Sequence, residues 1–124
     1  MNCIRNYPWY KGWQKMFAGK DFVMLGIHTP ETDTERVTAN VRKAAAEAGL
    51  TFPILIDQDE SNWDHWGNSM WPSVYLIDKE GTIRFWWYGE LNWNGAEGEI
   101  RLRKRIKELL DEPNPIEGLP GAIR

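Results

Sequence analysis

The chain has 124 residues, 42% of them hydrophobic and 27% charged, with a formal charge of -3; that is the size and balance of one domain able to bury a single core. The acidic balance leaves no global basic surface to gather nucleic acid or anionic lipid, and no apolar run approaches a membrane span. A single cysteine, Cys3, excludes an internal disulfide, so redox chemistry needs a second thiol from elsewhere.

Trp9, Trp13, Met16 and Phe17 recur at helical spacing ahead of Ala18 and Gly19, which predicts an opening amphipathic helix carrying Pro8 as a kink. Residues 22–27, FVMLGI, are a continuous apolar run too short for a helix and fit a parallel strand covered on both faces. The run ends in a loop over residues 28–33. Thr34, Val37, Val41, Ala44, Ala45 and Ala48 then predict a second helix, closed by Gly49 at its C′ position. Residues 53–57 read as a short strand and 61–66 as a short helical segment. Residues 73–78 and 82–88, rich in β-formers and joined by Lys79, Glu80 and Gly81, predict an antiparallel hairpin. A Trp- and Gly-rich loop over 89–98 leads to a final helix marked by Ile100, Ile106, Leu109 and Leu110, which Pro113 and Pro115 end. Residues 113–124 have too little apolar content to pack alone and read as a Pro/Gly-rich tail, leaving residues 1–112 as the domain. This order of elements is α/β, with a mixed sheet and helices on both faces. A parallel strand after an opening helix implies a crossover from a strand before that helix, and the chain contains none.

Three motifs in this order resemble the redoxin branch of the TlpA-like thioredoxins: Asn2-Cys3-Ile4-Arg5-Asn6-Tyr7-Pro8, then Gly26-Ile27-His28-Thr29-Pro30-Glu31, then Trp71-Pro72-Ser73-Val74-Tyr75-Leu76-Ile77-Asp78. The resemblance covers residues 2–110 and implies a thioredoxin-like three-layer sandwich. In that family an N-terminal strand ends in a Cys-x-x-Cys pair whose first thiolate attacks a substrate disulfide and whose second resolves the mixed disulfide. Cys3 matches the second, resolving cysteine, Pro8 the helix proline, and Pro72 the cis-proline facing the cysteines. Trp71 is then the residue whose backbone pairs with a bound peptide. Glu31 resembles the acidic residue that exchanges protons with the buried thiol. The first cysteine would fall ahead of Met1, so the expectation is an N-terminally truncated domain lacking its central strand.

The resemblance implies a thiol-disulfide oxidoreductase of redox homeostasis acting on protein thiols and disulfides. With one cysteine the chain is expected to lack dithiol exchange. A non-catalytic protein- or peptide-binding module using the Trp71-Pro72 loop is the alternative, and a thiol peroxidase a weaker third, because nothing around Cys3 resembles a Thr-x-x-Cys site. No cofactor or metal is expected: His28 and His65 lack companions at ligand spacing. Arg101, Arg103, Lys104, Arg105 and Lys107 read as the solvated face of the last helix. Trp86, Trp87 and Trp93 read as mixed packing and surface rings. A missing central strand would leave two unpaired edges, so self-association through them is one expected outcome, beside truncation and closure of the edges on each other. No cationic-then-apolar leader opens the chain, and the resemblance implies an extracytoplasmic location.

Overall fold

The computed structural model describes residues 2–115; most of the predicted tail, residues 116–124, lies outside them. The described chain divides into two compact units, one built from the two ends of the sequence through Phe22 and from Met70 onward, the other from Val23–Ser69. No helix among the described residues is long and apolar enough to cross a membrane.

In the first unit, helix α1 spans Asn2–Met16 and contains Pro8. The stripe suggested by the aromatic spacing holds at Trp13 and Phe17, which are buried, and fails at Trp9 and Met16, which are 36% and 45% exposed. The buried or half-buried positions are Cys3, Asn6, Tyr7, Tyr10, Trp13, Gln14 and Phe17, a repeat of three and four residues that includes polar members. Tilted ring contacts join Tyr7 to Tyr10 and Tyr10 to Trp13 along this face. Burial raises the Tyr10 hydroxyl well above the ordinary tyrosine range, against the lowering effect of its bond to Asn6.

Strands β1 (Ser73–Ile77) and β2 (Ile83–Tyr88) pair antiparallel, Ser73 opposite Tyr88 and Leu76 opposite Phe85, with a register shift between Leu76 and Ile77. The turn is fixed by Asp78, whose carboxylate accepts the Glu80 and Thr82 amides and pairs with Arg84. Helix α2 (Gly98–Asp111) packs on both strands with Gly98, Leu102 and Ile106 buried. Ile100, expected on the core face, is 55% exposed, because the stripe starts at Gly98 rather than two residues later. Lys79 Nζ donates to the Leu110 and Glu112 carbonyls, satisfying acceptors that the helix end leaves open. Trp13, Phe17, Leu76, Leu91, Leu102 and Ile106 form the core of this unit.

In the second unit, β3 (Gly26–His28) pairs parallel with β4 (Ile54–Ile56), Gly26 opposite Ile54. The strand predicted over residues 22–27 is thus shorter and shifted toward its C-terminal end, limited by a partner of three residues. Val23, Leu25, Ile27 and Leu55 are exposed, so the expectation of a strand covered on both faces does not hold. A 3-10 turn over Thr34–Arg36 precedes helix α3 (Thr38–Ala48), where one helix from Thr34 was expected. Gly49 closes α3 in the left-handed conformation, at φ 71°, as predicted. Asp57 follows β4 and receives the Thr29 hydroxyl together with the Asn62 and Trp63 amides, which anchors the short helix α4 (Ser61–His65).

Candidate functional site around Cys3 and the Trp71-Pro72 loop

Cys3 stands in the first turn of α1, half-buried, on the same stripe as Asn6, one turn further on. Asn6 is 1% exposed. Its side chain donates from Nδ2 to the Tyr10 hydroxyl at 3.0 Å and accepts the Leu91 amide on Oδ1 at 3.0 Å, so both polar ends are satisfied in a place where an unpaired one costs on the order of 1–3 kcal/mol. Leu91 is itself fully buried, and its carbonyl accepts the Gly98 amide at the start of α2.

The Trp71-Pro72 peptide bond is cis, in the form implied by the resemblance, with Pro72 buried and Trp71 half-buried. The loop is closed by the Ser73 hydroxyl donating to the Met70 carbonyl at 2.6 Å and by the Gly89 amide donating to the Pro72 carbonyl at 2.7 Å. Gly89 has φ +88°, a conformation that favours glycine, and an added Cβ would sit 3.1 Å from the Met70 sulfur.

Between Gly89 and Leu91, the Glu90 carboxylate bonds Arg5 of α1 at 2.8 Å; the Glu90 side chain is enclosed and that of Arg5 largely in solvent. The Arg5 guanidinium lies 6.0 Å from the centre of the Trp93 ring, a cation–π contact on an indole that is 63% exposed. The Trp87 indole donates to the Glu90 carbonyl, which makes Trp87 a packing ring and leaves Trp86 and Trp93 as surface rings.

Cys3, Trp71 and Pro72 thus share the first unit. Glu31 belongs to the second, on an exposed loop where the Glu35 carboxylate accepts its backbone amide. His28 Nε2 lies 3.0 Å from the Glu35 carbonyl, and no cluster of three metal-ligating side chains exists among the described residues. The residues that sequence patterning passes over are Asn6, Arg5 and Glu90. Asn6 carries a visible signal, a polar residue three places after Cys3 on the Trp13 stripe. Arg5 and Glu90 carry none, because their pairing spans 85 positions.

The AhpC/TSA family profile matches residues 1–86. Protein DipZ of Mycobacterium bovis is 36% identical over 120 residues, which are 97% of this chain and 16% of DipZ. The thiol-disulfide oxidoreductase YkuV of Bacillus subtilis is 28% identical over 89 residues, 72% of this chain and 56% of YkuV. The chain therefore spans about a sixth of one curated relative and just over half of the other. A crystal structure from Chlorobium tepidum, assigned as a thiol:disulfide interchange protein DsbE, superposes with a TM-score of 0.75 at 19% identity, covering 88% of this chain and 71% of that one. Together with the observed elements this likeness fixes the fold as α/β and thioredoxin-like.

Proposed function

The chain belongs to the AhpC/TSA family, and from that premise we propose that it is a thiol-disulfide oxidoreductase domain whose single cysteine, within these 124 residues, supports one half of the exchange reaction. The observation that carries the reading is the pairing, in one compact unit, of a cysteine in the first turn of a helix with a Trp71-Pro72 loop tied to the same short stretch of chain. Cys3 matches the resolving position, and as the single cysteine of this chain its thiolate takes the attacking role itself, on one sulfur of a protein disulfide. The Cys3–sulfur bond forms, the substrate sulfur–sulfur bond breaks, and the departing thiolate takes up a proton. Completing a cycle needs a second thiolate to attack the mixed disulfide, and this chain holds no second cysteine. Trp71 and Pro72 are the proposed contacts for the substrate backbone and Glu31 the proposed proton-exchanging acid. The working environment is outside the cytoplasm, where disulfides persist.

The expected result in an insulin-type disulfide reduction assay is turnover no faster than the reductant alone. Catalytic reduction by this polypeptide would overturn the half-reaction reading. A second reading, a peptide-binding module without exchange chemistry, is favoured by Trp86 and Tyr88, each about half exposed on one face of the hairpin that follows Pro72.

A further inference from the structure

Three consecutive residues, Gly89, Glu90 and Leu91, are held at both ends of the candidate site. The Gly89 amide is bound by the Pro72 carbonyl, the Glu90 carboxylate by Arg5, and the Leu91 amide by Asn6. The stretch is also tied to its own unit, since Trp87 donates to the Glu90 carbonyl and Gly98 to the Leu91 carbonyl. Two residues of chain reach no further than about 7 Å, so the Pro72 carbonyl and the Asn6 side chain lie within roughly 13 Å of each other through bonds of 2.7 and 3.0 Å.

We infer that this stretch is a positioning bracket, which fixes the Cys3 turn of α1 relative to the Trp71-Pro72 loop, and that Asn6 and Glu90 are its positioning residues. Two features separate a bracket from an ordinary loop. Asn6 spends a buried core position of α1 on a bond to a distant backbone amide, where an apolar side chain would pack more simply. The Arg5–Glu90 pair adds a second tie two residues from Cys3, with its carboxylate end enclosed. Exchange chemistry rewards such ties, because a thiolate must meet a disulfide sulfur in line, and displacement of a reacting group by about 1 Å costs orders of magnitude in rate. The importance of the bracket for peptide exchange rests on the function proposed above; its hold on Cys3 does not.

The single cysteine allows a direct test on the whole chain. A nitroxide attached to Cys3 is expected to give an immobilised spectrum in the parent chain. Asn6→Ala should add a mobile component, and Asn6→Asp, which keeps an acceptor for the Leu91 amide, should remove most of it. Glu90→Gln, which keeps the volume and removes the charge pair, gives an independent variant should Asn6→Ala fail to fold. In parallel, the unlabelled chains are mixed with a cystine-containing peptide and with a small neutral disulfide. Asn6→Ala should slow the peptide reaction about tenfold while leaving the small-disulfide reaction within about twofold. Identical spectra in folded parent, Asn6→Ala and Glu90→Gln chains would overturn the bracket, and so would equal slowing of both disulfides. A spectrum that loosens as expected in a chain whose parent ignores the peptide would uphold the bracket's hold on Cys3 and overturn the exchange function instead.

Discussion

Gly98→Ala is expected to destabilise the chain by about 3 kcal/mol, at the upper end of the usual overpacking range. A Cβ at that position would overlap the Leu91 carbonyl oxygen and stand 2.8 Å from Trp87 Cε2. Neither neighbour can yield easily. The Leu91 oxygen is backbone and already accepts the Gly98 amide, and the Trp87 ring is held by its bond to the Glu90 carbonyl. The same glycine opens the buried stripe of α2, so the strain falls on the junction between the hairpin, the helix and the 89–91 stretch. Gly12→Ala is the control. It lies inside α1 with nothing within 4 Å of the added carbon, and helix propensity predicts a gain of about 0.5–1 kcal/mol. Urea denaturation of the two variants should move the midpoint in opposite directions, and equal midpoints would contradict the packing described at Gly98.

The second large effect is expected at Asp57, in the other unit. Its carboxylate receives the Thr29 hydroxyl at 2.9 Å, the Asn62 amide at 3.0 Å and the Trp63 amide at 2.9 Å. Asp57→Ala removes the acceptor that all three donors share and should cost about 2–3 kcal/mol, mainly through the lost carboxylate cap on the first turn of α4. The pH dependence follows from the same bonds. Burial pushes the Asp57 carboxyl up, but the two amides and the hydroxyl outweigh it and hold the group below its ordinary value. A carboxyl lower in the folded than in the unfolded chain contributes fully above about pH 4 and loses that contribution as pH falls through its folded value. Thermal melts taken from about pH 6 downward should therefore fall more steeply below about pH 4 in the parent than in Asp57→Ala. Parallel acid limbs would show that the Asp57 bonds do not persist in solution.

The elements that local chemistry dictates were legible from the residues alone. The hairpin follows from β-branched and aromatic runs around Lys79, Glu80 and Gly81, and the end of α3 from Gly49. The form of the Trp71-Pro72 bond followed from the motif around it. Apolar periodicity failed where polar groups take core positions. It aligned α1 on Trp9, Trp13, Met16 and Phe17; the structure buries Trp13 and Phe17 but turns Asn6 and Tyr10 inward in place of Trp9 and Met16, because Asn6 finds a partner in the Leu91 amide far along the chain. It placed Ile100 inward in α2, whereas Gly98 takes the inner position for reasons of close approach that no hydropathy pattern records. At the candidate site, Cys3 and Pro72 were readable as motif members. The ties at Arg5, Asn6 and Glu90 were not, since a contact between residues 85 apart leaves no local trace in a single sequence.

Intact-mass measurement of the reduced chain mixed with a cystine-containing peptide tests the central claim most directly. The account predicts a peptide adduct that accumulates to one per chain, persists until an external thiol is added, and vanishes in Cys3→Ser. A parent chain that gains no peptide mass under conditions where the free thiol is confirmed would contradict it. Retained noncovalent binding of the same peptide by Cys3→Ser would then assign the chain to the peptide-binding reading.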